Sequence, residues 1–135
     1  MAKDYQDEIQ NKIIKGLLDM IVLELLNKQP MHGYQIIIEI RKGFGIYYGP
    51  STVYPLLDTL EKKGVVKSSW NTDLERPRKV YRLTNYGENI LDFAEDSLAL
   101  IRKTMTNEDR IRIEVASSTP PRTRLQCESS QLSSR

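Results

Sequence analysis

Two runs rich in β-branched and aromatic residues, VVKSSW (65–70) and KVYRLT (79–84), stand directly behind a helical pattern closed by Lys62-Lys63-Gly64, with the polar stretch NTDLERPR between them. A change from helical to alternating spacing at one glycine constrains the fold more than any other feature of this chain. The two runs predict a β-hairpin with a long polar loop.

The helical text lies upstream. IIKGLLDMIVLELL (13–26) is apolar around most of a helical circumference, as in a helix covered on several sides. Asn27-Lys28-Gln29-Pro30 ends it, because the residue before a proline is pushed out of the α region. A second helix is expected from about His32 to Gly43. The third opens at Gly49-Pro50-Ser51-Thr52, where Ser51 or Thr52 can cap free N–H groups and Pro55 falls within or near the first turn. Val53, Leu57 and Leu60 make its inner face. Ser51, Thr52, Pro55, Asp58, Thr59 and Lys62 make its outer face.

After Thr84, a capping residue, Leu91, Ala94, Leu98, Ile101 and Met105 recur at intervals of three and four with charged residues outside them. A helix of about 20 residues is about 30 Å long, more than a three-helix domain can cover. The stripe therefore predicts a homodimer seam, with folding back on the first helix of its own domain as the alternative. RIRIEV (110–115) reads equally as a strand or as the end of that helix. Residues 116–135 are rich in Ser, Thr and Pro and predict a disordered tail.

Charge is partitioned unevenly. Residues 41–82 carry nine Lys/Arg against four Asp/Glu, whereas residues 1–40 carry four against six and residues 83–115 four against seven. One basic segment between acidic flanks suits a face that meets a polyanion. A single Cys127 and a single His32 leave no metal cluster, disulfide or redox pair. No metal or cofactor is expected, and with no partnered nucleophile or phosphate loop neither is an enzyme. Asp19 and Glu24 interrupt the longest apolar run, so a soluble cytoplasmic protein is expected.

Three helices and a hairpin in this order give the fold class: mainly α with a small β-hairpin. They lay out a winged helix-turn-helix domain (residues 1–84) followed by a C-terminal dimerisation helix (85–115). The third helix would enter the major groove of double-stranded DNA and the hairpin would be the wing. Ser51 and Thr52 suit a phosphate oxygen. Arg76, Arg78 and Lys79 can neutralise phosphates or enter a minor groove. Tyr54 can touch DNA or pack inward, and Tyr81, alternating with Val80 and Leu83, can pack. His32 reads as a structural residue bonding the backbone, with a pH sensor as the alternative. A winged helix that binds protein instead of DNA is the second function class, against which the polar outer face of the third helix argues.

MHGYQI (31–36), GPSTVYPLLDTLEKKGVV (49–66) and ERPRKVYRLTNYGENIL (75–91) together resemble the winged-helix regulators of the PadR family, whose text runs close to LHGYEI, SxGTLYPxLxxLExxGLI and RxRKxYxLTxxG. The resemblance covers residues 13–91. It implies a homodimeric transcription factor, usually a repressor, on an inverted-repeat operator, paired through its C-terminal helix together with its first, which would bring Ile14, Leu18 and Ile21 into the seam. It assigns DNA contacts to Ser51, Thr52 and Tyr54, a backbone contact to Lys62 and wing contacts to Arg76, Arg78 and Lys79. Pro55 and Thr59 share that outer face. Two departures stand out. Asp73-Leu74-Glu75 replaces the glycine common in the family's wing loop. Where some short members hold flat aromatic ligands between tryptophans of the last helix, this chain has only Phe93 there, and its one tryptophan, Trp70, lies in the hairpin. Leu17, Ile21, Phe93, Ala94 and Leu98 would line a site for a small uncharged aromatic inducer, with a closed, packed seam as the favoured alternative.

Overall fold

The computed structural model of the chain describes residues 2–73 and 75–105. The expectations for residues 110–115, for the tail and for Cys127 lie outside them. Eight elements follow in order: α1 (Ala2–Gly16), α2 (Leu18–Lys28), β1 (Met31–His32), α3 (Gly33–Phe44), α4 (Pro50–Lys62), β2 (Val66–Asn71), β3 (Arg78–Leu83) and α5 (Asn85–Thr104). The strands form one antiparallel sheet in the order β1-β3-β2. Two compact units meet between Glu88 and Asn89.

Three features depart from the sequence reading. The helix expected over 13–26 is two helices, broken at Leu17 (φ −101°, ψ 10°) beside the poor helix former Gly16, and the first extends back to Ala2. The charged stretch before Ile13 is thus helical, with Lys12 3.8 Å from Glu8 one turn away. The expected hairpin is a three-stranded sheet, because Met31 and His32, extended after Pro30, pair with Tyr81 and Val80. The cap of α4 is Gly49, not Ser51 or Thr52. Its carbonyl accepts the N–H groups of Thr52 and Val53, both at 3.0 Å, with Pro50 in the first helical position. Pro55 consequently sits in the second turn rather than the first.

The core of the first unit is apolar throughout. Val22, Leu23 and Leu26 of α2, Ile36, Ile37 and Ile40 of α3, and Val53, Leu57 and Leu60 of α4 are buried with Val65, Val66 and Tyr81. Each such aliphatic side chain stabilises by about 1.5–3 kcal/mol, whereas the exposed pairs Lys12–Glu8 and Lys42–Glu39 contribute at most about 1 kcal/mol each. Burial therefore holds α4 and the wing in place. Gly64 ends α4 at φ +82°, a conformation open to glycine. Thr84 then ties the sheet to the next helix: its hydroxyl donates to the Gly64 carbonyl at 2.7 Å and accepts the Gly87 N–H at 2.9 Å.

α5 taken by itself carries the expected stripe. Leu91 is buried and Ala94 partly covered, while Phe93, Leu98, Ile101 and Met105 are exposed. Of the proposed seam residues on the earlier helices, Ile14 and Leu18 are buried within the single chain and Ile21 is half-buried. Among the described residues no helix is long and apolar enough to cross a membrane.

Candidate nucleic-acid interface

The outer side of α4 is an exposed stripe. Ser51, Thr52, Pro55, Thr59 and Lys62 recur on it at spacings of three and four and are all exposed. Neither Ser51 nor Thr52 is used as a side-chain cap, so both hydroxyls remain to offer. Thr59 is engaged, donating its hydroxyl to the Pro55 carbonyl at 3.0 Å. That carbonyl sits in the turn where Pro55 itself supplies no N–H.

Tyr54, Asp58 and Glu61, one turn apart from each other, lie on the flank of α4 between that outer stripe and the sheet, with Glu61 bonded to β2 and Asp58 exposed. Tyr54 and Asp58 border an open concavity whose opposite wall is the wing, with Trp70 and Arg76 to Lys79, and whose end is His32 to Tyr34 at the start of α3. Tyr54 packs only in part: its ring lies over Gly33 yet stays 39% exposed. A Cβ at Gly33 would come 2.7 Å from Tyr54 Cζ, so glycine there is what lets α3 and the tyrosine approach. Tyr81 is buried, and burial, followed by the nearby carboxylates of Asp58 and Glu61, pushes its pKa up. The phenol stays protonated.

Register explains the wing. In the β2–β3 ladder Ser68 faces Tyr81 and Trp70 faces Lys79, so these four share the face turned to α4. Glu61 clamps that face: one carboxylate oxygen accepts Ser68 N–H at 3.1 Å and Ser68 O–H at 2.6 Å, and the other lies 4.0 Å from Lys79 Nζ. Lys79 also lies 5.7 Å from the Tyr81 ring centroid, so its charge is partly spent within the fold. Arg78, on the other face, reaches His32, which opposes Val80 in the β1–β3 pair. Its Nη1 is 3.0 Å from His32 Nε2, while His32 Nδ1 accepts the Gln35 N–H at 3.2 Å and caps α3. Burial first and Arg78 second hold the His32 pKa below its usual value. Arg76 and Arg78 are both exposed.

Four of the nine residues expected at DNA, Tyr54, Arg76, Arg78 and Lys79, thus border one concavity, and the other five form the adjoining stripe of α4. Sequence reasoning missed that Trp70, His32 and Glu61 belong here. Only the strand register, which pairs Trp70 with Lys79 and brings Arg78 to His32, could have revealed the first two. Among the described residues no group of three His, Cys, Asp or Glu could hold a metal ion.

Helices α2 to α4 with a basic two-stranded wing against them define a winged-helix DNA-binding protein. Residues 22–92 match the transcriptional regulator PadR-like family. The chain belongs to that family, whose members are DNA-binding regulators and not enzymes. It is 33% identical over 86 residues to an uncharacterised protein of Lysinibacillus sphaericus, covering 62% of this chain and 79% of the other. Among solved structures it is similar to a PadR family transcriptional regulator from Eggerthella lenta (30% identity, TM-score 0.66, 74% of this chain and 88% of that one). It is likewise similar to a transcriptional regulator from Clostridium thermocellum (28%, 0.63, 70% and 94%).

Proposed function

We propose that the protein is a homodimeric, cytoplasmic repressor that binds an inverted-repeat operator in duplex DNA. The outer stripe of α4 enters the major groove, and Arg76 and Arg78 of the wing meet phosphates or the adjacent minor groove. Two protomers pair through the exposed apolar residues of α5. The observation that carries the reading is the continuity of the two polar surfaces: the exposed face of α4 and the exposed wing arginines adjoin across one concavity with no apolar anchor on α4 other than the half-packed Tyr54. A protein-docking helix would carry such anchors itself, whereas the exposed aromatics that border this concavity, Tyr34 and Trp70, belong to α3 and the wing.

The test is selection of bound fragments from random duplex DNA, followed by titrations at several salt concentrations. Wild type should enrich an inverted repeat whose affinity falls steeply with salt as counterions are released. Replacing Arg76 and Arg78 with Ala should weaken all sequences alike and lower the salt slope by about one per arginine. Full affinity in the double variant would refute the wing assignment.

A further inference from the structure

The concavity between α4 and the wing is lined by three cations, Arg76, Arg78 and Lys79, and by one carboxylate of α4, Asp58. Glu61, one turn further on, is occupied by Ser68 and Lys79. Asp58 is exposed and, among the described residues, has neither a hydrogen bond nor an ion pair. A carboxylate only accepts hydrogen bonds. Phosphate oxygens, guanine N7 and O6 and thymine O4 are acceptors too, so against each of them Asp58 costs binding energy. The cytosine amino group is a donor without a neighbouring acceptor on the same edge. Adenine offers a donor as well, but its N7 lies beside it and opposes a carboxylate.

We infer that Asp58 is a specificity-determining residue, which accepts a hydrogen bond from a cytosine amino group in the major groove and discriminates against every other base at that position. The inference rests on the proposed docking of α4. Its consequence is that Asp58, the one carboxylate among the described residues lining this concavity, lowers affinity for DNA in general while sharpening the choice of operator.

The experiment selects bound fragments from randomised duplex DNA with wild type, Asp58→Ala and Asp58→Asn, each confirmed folded by thermal melting. Wild type should demand cytosine at one position of each half-site, with discrimination of about tenfold. Asp58→Ala should lose that preference alone and bind unrelated DNA more tightly. Asp58→Asn should shift the same position towards adenine, which an amide reads through its donor and acceptor together. Unchanged base preference in both variants, or a gain in affinity equal for all sequences, would overturn the inference while leaving the interface intact. If wild type bound no DNA at all, the docking of α4 would fall and the inference with it.

Discussion

His32 Nε2 stands 3.0 Å from Arg78 Nη1 while His32 Nδ1 receives the Gln35 N–H at 3.2 Å. A neutral imidazole has one acceptor nitrogen, so the ring can satisfy the α3 cap or the wing arginine, but not both. Protonation removes that one acceptor and sets a cation beside Arg78. The folded state therefore prefers neutral His32, in line with its lowered pKa.

Stability should follow from that sign. Below the unfolded value of 6.5 the unfolded chain takes up a proton that the folded chain resists, so stability is full above that pH and declines as pH falls through the window beneath it. Urea midpoints at several pH values between 7.5 and 5 measure the decline. His32→Asn, which keeps a capping oxygen without a titrating group, should fall less steeply than wild type. Parallel slopes would assign the decline to carboxylates.

Gly33 and Gly87 make opposite predictions for the same change to Ala. At Gly33 the obstacle is the tip of a half-exposed Tyr54, which can swing outward, and a helix gains from alanine. Stability should hardly move while DNA affinity drops. At Gly87 the added methyl collides with the Val65 carbonyl oxygen and approaches Leu83 Cδ1 to 2.7 Å. Backbone has nowhere to go, so Gly87→Ala should cost about 1–3 kcal/mol, read by denaturant unfolding.

Much of this was legible in the sequence. Helix α4 and strands β2 and β3 announce themselves because each has a clean period and Gly64 separates them. Strand β1 is only two residues long, and its extended form depends on a partner, β3, about fifty positions away, which no local period reports. The charged helix α1 carries only a thin apolar stripe, Tyr5, Ile9 and Ile13, exposed in the single chain and easily passed over among its charges. Ser51 has the chemistry of a cap, yet Pro50 fits the first helical position and moves the cap back to Gly49. At the interface the loop arginines were visible, but the links of Glu61 to Ser68 and of His32 to Arg78 exist only once the sheet register is fixed.

Glu61→Ala tests the clamp between α4 and the wing. It removes two hydrogen bonds to a charged acceptor in a half-exposed place, a loss of about 1–2 kcal/mol. Lys79→Ala should cost less than about 1 kcal/mol, since its 4.0 Å pairing is partly in water. Chemical denaturation of the two variants and of their combination gives the coupling. Equal losses for the two single variants would mean that the ion pair, not the Ser68 bonds, carries the clamp.

The dimer is tested on α5. Leu98, Ile101 and Met105 are 38%, 52% and 79% exposed in one chain, an amount of apolar surface on one helix that a second copy would cover. Leu98→Asp with Ile101→Asp introduces two carboxylates per chain and so four per dimer, each costly to desolvate in an apolar seam. Both positions are exposed in the single chain, so the fold of a protomer should survive the change. Sedimentation should report a dimer for wild type and a monomer for the double variant. Affinity for a whole inverted repeat should then fall towards that for one half-site, because two linked half-sites reinforce each other only while the protomers are joined. A double variant that sediments as the wild-type dimer would place the seam on another surface.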